Sequence, residues 1–125
     1  DAPRAGHGAG AGQGRPVTAH SERERDLAFM GWVKTLPCCL RRERDAGACS
    51  SGGRVWSEAD HAGERAGFRR ADDDTCVPLC PRHHADRTTR RGYFAGRPWA
   101  WMRAWCDTQI ANTQRLWAAW QSAPF

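Results

Sequence analysis

The sequence predicts an α+β fold: one small domain, stapled by a metal and covered by a C-terminal amphipathic helix. Three observations predict it. Residues 54–61 look extended and end in Asp60-His61. A short apolar run over 75–79 leads into Cys80-Pro-Arg-His83-His84 and a helical pattern. Residues 98–120 then repeat apolar side chains near every 3.6 positions.

At 125 residues and 40% apolar content, the chain has room for one modest core, and a core of that size often needs a staple. Six cysteines offer either disulfides or metal ligands. A Cys-x-x-His pair and no visible signal peptide favour metal in a reducing, cytoplasmic compartment over a secreted, disulfide-stapled protein. The first residue is Asp, so a processed or missing start, with a lost targeting segment, stays open. No apolar run approaches the roughly 18 residues that span a bilayer.

The net charge of +5 falls entirely after residue 26, because the four Arg and four acids before that point cancel. The excess is almost all Arg, which suits bidentate contacts with phosphate, although a compositional preference for Arg gives the same count. Charge alone therefore does not establish a nucleic-acid partner.

Residues 1–20 are rich in Gly and Ala, hold almost nothing to bury and are expected to be disordered, with His7 and His20 incidental. The folded part, residues 21–125, begins at Ser21, a plausible N-cap with Glu24 three residues on. Leu27, Phe29, Met30, Trp32, Val33 and Leu36 supply an apolar face before Pro37 ends the element.

The next stretch, CCLRRERDAGACSSGG, reads as a loop carrying Cys38, Cys39 and Cys49. Zinc takes four Cys or His ligands in a tetrahedron. Cys38 or Cys39, with Cys49, Cys80 and His83, would make a Cys3His structural site. The spacing leaves open which of the adjacent cysteines ligates, and buried free thiols are the alternative.

Val55, Ser57 and Ala59 alternate with Trp56, Glu58 and Asp60 at period two, which predicts a strand. Asp60 and His61 would then point to opposite faces, so a site shared by both requires the backbone to turn there. Asp60 as a cap and His61 as a packed histidine are the plain alternatives. The following segment holds Arg65, Arg69 and Arg70 and then Asp72 to Asp74, a solvated loop or a basic edge for a phosphate backbone. Pro78 marks the second strand as an edge or bulge. Pro81 and Gly92 bracket a helix of about ten residues on which His84, Arg87, Thr88 and Arg91 share a face. His83 points elsewhere. In the last helix Met102, Trp105, Cys106, Gln109, Ile110, Thr113, Leu116, Trp117 and Trp120 form the stripe, read as core packing, with Cys106 a small buried hydrophobe.

Ala59-Asp60-His61-Ala62-Gly63, followed by Pro78-Leu79-Cys80-Pro81-Arg82-His83-His84, resembles the HNH (ββα-metal) endonucleases over about residues 37–95. It resembles most their subgroup reading PLC-x-x-HH, which includes phage recombination-enhancement-type nucleases. Cys76 stands roughly where the middle Asn of that motif falls, a departure. The resemblance implies a bacterial or phage-encoded enzyme that hydrolyses DNA phosphodiesters with Mg or Mn. His61 would be the general base, His84 and Asp60 would hold the catalytic ion, and Arg87 or Arg91 would contact phosphate. The alternative is a zinc module that binds nucleic acid without cutting it.

Overall fold

The structure, a computed structural model, describes residues 21–50, 57–64 and 72–124. The predicted tail, the start of the extended run at Val55 and Trp56, and Arg65, Arg69 and Arg70 lie outside the described residues. The described part is mixed α and β: helices α1 (Glu22–Val33), α2 (Pro81–Thr89) and α3 (Trp99–Ser122), and an antiparallel pair of strands, β1 (Glu58–His61) and β2 (Cys76–Leu79). Among these residues no helix is long and apolar enough to cross a membrane.

Helix α1 starts where the sequence says. The Ser21 hydroxyl accepts from the Glu24 backbone N–H at 3.0 Å, and the Glu24 carboxylate accepts from the Ser21 N–H at 2.8 Å. That capping box satisfies two of the helix's orphan donors. Phe29 and Val33 are buried, packing with Cys76, Trp32 and Trp117, whereas Leu27 is half exposed. The chain leaves α1 through Leu36, whose carbonyl accepts from the buried Ser57 hydroxyl at 2.7 Å.

Registers Glu58 with Leu79, Ala59 with Pro78, Asp60 with Val77 and His61 with Cys76 align the strands. All four β2 residues are buried, since α1 and α3 both pack on this strand. Pro78 does not break the pairing, and its carbonyl accepts from the Cys39 N–H at 2.9 Å, which ties the cysteine loop to the sheet.

Pro81 opens α2 at its first turn, as expected. The stop differs: Arg90, with φ of 57°, is the left-handed C-cap, and Gly92, with φ of 55°, opens the 3-10 turn Gly92–Phe94. The Arg90 and Arg91 amides donate back to Arg87 and Asp86, closing the helix two residues before the glycine. The α3 stripe is core over most of its length, with Met102, Cys106 and Thr113 buried, but Leu116 and Trp120 at its C-terminal end are half exposed. Arg103 donates to the Ala62 carbonyl and Gln114 to that of Asp74, both at 2.8 Å, pinning α3 across the sheet and its connection.

Candidate metal centre

Cys38, Cys49, Cys80 and His83 bring their ligand atoms within 4.8 Å of one another, and no other group of three or more Cys, His, Asp or Glu side chains converges in this way among the described residues. His83 Nδ1 lies 3.3 Å from Cys80 Sγ, 3.5 Å from Cys38 Sγ and 3.8 Å from Cys49 Sγ. A tetrahedral zinc with bonds of about 2.3 Å to sulfur and 2.0–2.1 Å to nitrogen places such atoms roughly 3.6 Å apart. The observed separations fit a Cys3His zinc site.

Each ligand is delivered by local structure. Cys80 caps α2 and His83 follows one turn later, so the two share a face. Cys38 and Cys39 are neighbours on backbone tied to β2, and only Cys38 reaches the cluster. Cys39, the other candidate, is excluded from it: its buried thiol lies among Cys38, Asp60 and Cys106. Cys49 returns from a 3-10 turn, Arg44–Ala46, and a sharp bend at Gly47, φ 78°. The positive φ favours glycine there, and the Arg82 guanidinium lies against the glycine. Arg82 then clamps the loop, its Nη1 donating to the Ala48 carbonyl at 2.7 Å and its N–H to the Ser50 hydroxyl at 3.2 Å. This folded-back loop spans the long gap between the first two cysteines.

Two features not legible from the ligands themselves tune the site. His83 Nε2 donates to the Ala46 carbonyl at 2.8 Å, which fixes the tautomer and leaves the Nδ1 lone pair facing the thiols. Burial pushes Cys38 up to about 12 and also raises Cys49. Burial acts on Cys80 too, but hydrogen bonds from the His83 and Ser50 backbones outweigh it and hold this thiol down at about 7. Cys80, at a helix start, is therefore the readiest thiolate of the three.

A second cluster forms on the same helix. Asp60, only 3% exposed, receives a bidentate fork from Arg87, through Nε to Oδ2 and through Nη2 to Oδ1 at 2.7 Å. His84 sits between carboxylates, Nε2 at 3.3 Å from Asp60 Oδ1 and Nδ1 at 2.7 Å from Glu58 Oε1. Hydrogen bonding to Asp60, and then to Glu58, holds His84 up at about 9 against burial. Burial opposes ionisation of Asp60, but Arg87 and His84 overcome it and keep its carboxyl below the usual range.

The backbone does not turn at Asp60-His61. His61 ends β1 pointing away from the Asp60 cluster, with Nε2 2.8 Å from Asp73 Oδ1. The structure thus brings Asp60, His84 and Arg87 together and gives His61 a different partner. Arg87, expected at phosphate, has its fork turned inward onto Asp60, with Nη1 3.9 Å from the Cys106 sulfur and Nη2 3.4 Å from the His61 carbonyl. Arg91 is exposed. Glu58 and Asp73 are the site residues that the sequence did not single out. Period two places Glu58 on the face of Asp60, and only that signal pointed to it.

No family model matches the chain, and neither a curated protein nor a solved structure matches it.

Proposed function

We propose that this domain is a zinc-stapled, ββα-metal type endonuclease that hydrolyses DNA phosphodiesters. The observation that carries the reading is the meeting of Asp60 from β1 with His84 from α2, 3.3 Å apart, beside a Cys3His centre that uses the neighbouring His83. The order strand, strand, helix and the split of the two histidines between two clusters are what the resemblance to HNH enzymes requires.

The chemistry follows from the side chains. With Nε2–H held by Asp73, the His61 ring presents Nδ1, which has no partner among the described residues, as the base that takes a proton from water. Asp73 orients the ring and stabilises the imidazolium once the proton arrives. Asp60 and His84 suit a divalent Mg or Mn ion once His84 gives up the proton it holds against Asp60 and Glu58, since only the neutral ring has a lone pair to donate. Such an ion supplies charge stabilisation at the scissile phosphate and the leaving oxygen. Exposed Arg91, with Arg65, Arg69 and Arg70 on the preceding connection, offers contacts to the phosphate backbone.

One observation favours the rival reading, a zinc module that binds nucleic acid without cutting it: both Asp60 oxygens are already engaged by Arg87 and His84. A plasmid-nicking assay separates the two. Purified protein should nick supercoiled DNA with added Mg or Mn, stop on brief EDTA treatment that leaves the tightly held zinc in place, and recover on add-back. Retarded but uncut plasmid under every divalent ion assigns the binding module instead.

A further inference from the structure

Helix α3 and the loop after α1 line a cleft of about 370 Å³ that has Cys38 and Cys39 in its wall. Its floor and walls are apolar, from Leu36, Pro37, Pro78 and Leu116. Three arginines, Arg41, Arg42 and Arg115, line it, and among the described residues no carboxylate does. All three arginines are exposed. The Arg41 N–H donates to the Cys38 carbonyl at 2.9 Å, whereas the Arg41 and Arg42 guanidiniums make no hydrogen bond or ion pair among the described residues. Arg115 Nη2 donates at 2.8 Å to Asn112 Oδ1, which holds the guanidinium at the rim and leaves the Asn112 amide NH2 unspent beside Gln109.

Three like charges gathered round one opening repel one another, and no carboxylate among the described residues lines the opening to offset them, although the Arg41 charge also acts on the Cys49 thiol. The acids of the same loop, Glu43 and Asp45, do not line the cleft and act instead on Tyr93, where the Arg44–Ala46 turn meets Gly92–Phe94. Contrast Arg87, Arg82 and Arg103, each of which is committed to a carboxylate or a carbonyl.

We infer that this cleft binds single-stranded nucleic acid, with backbone phosphates on Arg41, Arg42 and Arg115 and a base seated against Pro37 and Leu116. Planar guanidiniums match phosphate oxygens two at a time. The aliphatic wall buries the apolar face of a base without regard to its identity, and the Gln109 and Asn112 amides offer donors and acceptors to its edge. The volume is that of a small-ligand site, enough for one nucleotide and too narrow for a duplex. Cys38 lines the cleft and also belongs to the metal cluster, so the staple sets the position of the loop that carries Arg41 and Arg42. The inference shares with the nuclease reading only the premise that the partner is nucleic acid.

The test is fluorescence anisotropy of the zinc-containing full chain with a labelled oligothymidylate of about ten nucleotides and with a duplex of equal length. The triple variant Arg41→Ala, Arg42→Ala, Arg115→Ala should lose about tenfold or more in single-strand affinity, with a shallower salt slope. A charge-matched control, Arg23→Ala, Arg25→Ala, Lys34→Ala on α1, should lose less than about threefold. Leu116→Gln, which keeps every charge, should weaken the single strand by about threefold and the duplex by less. Zinc content and circular dichroism verify that each variant is folded, and the Leu116 variant tests the cleft even if the triple does not fold. Equal losses in the two triples, equal effects on single strand and duplex, or displacement by polyglutamate as effective as by unlabelled oligonucleotide would each overturn the proposal, the last by making the cleft an acidic-peptide site. A parent that binds the single strand through these arginines yet nicks no plasmid leaves the cleft standing and removes the nuclease reading alone.

Discussion

His83 and His84 are adjacent in sequence and belong to two clusters that differ in one physical respect. Around His83, three sulfurs and a ring nitrogen lie within 4.8 Å of one another, in a group that could hold a metal ion. Around His84, two carboxylates meet an imidazolium and a guanidinium, so the charges balance within the fold. The first arrangement is compatible with a zinc ion at its centre. The second is already closed by Arg87. The contrast teaches that convergence of ligand-type residues is not enough to identify a resident metal, since what decides is whether the protein has supplied its own counter-charge.

The largest effect should come from breaking the first cluster. Burying thiols and imidazole in mutual contact without an ion leaves their lone pairs unsatisfied, and structural zinc sites of this kind contribute about 10 kcal/mol or more to folding. Protein purified without added metal should contain one zinc per chain. His83→Ala and Cys80→Ser should lose the zinc and the cooperative unfolding transition together, while Cys39→Ser, one residue from a ligand, should keep both. Elemental analysis with thermal denaturation checks this. Less than about half an equivalent of zinc, with the fold intact after chelation, would remove the staple from the account.

The next effect sharpens the second cluster. Removing one partner of a buried ion pair strands the other charge, at a cost of about 3–5 kcal/mol. Asp60→Ala should therefore destabilise the zinc-loaded protein by roughly that amount in urea, since Asp60 is almost wholly buried and would leave Arg87 facing Cys106 and the His61 carbonyl. The pair replacement Asp60→Leu with Arg87→Met should cost much less than the sum of the single changes. A simple sum would mean that the fork does not hold the sheet to α2.

How much of this was legible in the sequence depends on the range of the signal. The Ser21 and Glu24 box, Pro81 at the helix start and the 3.6 repeat of α3 are local patterns, and the structure has them where the sequence put them. The Cys3His cluster was legible except for its first ligand, because Cys38 and Cys39 are adjacent and differ only in which way the turn that follows Pro37 points them. The pairing of Asp60 with Arg87 was not legible. It joins residues 27 positions apart across the sheet and helix, and the helical face that seemed to offer Arg87 to solvent is covered by α3 through Cys106. Asp73 on His61 was likewise hidden, in a run of three aspartates that composition reads as a solvated loop.

His61 stands outside both clusters, and so it tests the enzyme reading with the least disturbance to either. It is partly exposed, its ring meets Asp73 at 2.8 Å, and no member of the Cys3His centre touches it. His61→Ala should keep the zinc content and the unfolding midpoint close to the parent and cut the nicking rate by about 10²-fold or more, which is the scale of a lost general base. Asp73→Asn should keep the ring in place through its side-chain oxygen but withdraw the charge that stabilises the imidazolium, costing less, on the order of tenfold. Part of that loss should be recovered at higher pH, where hydroxide replaces the base. The two variants together distinguish chemistry from packing: a structural histidine would move the unfolding midpoint in both and leave the rate per folded molecule unchanged. If His61→Ala nicks plasmid at the parent rate, His61 is not the base and the nuclease reading built on it falls.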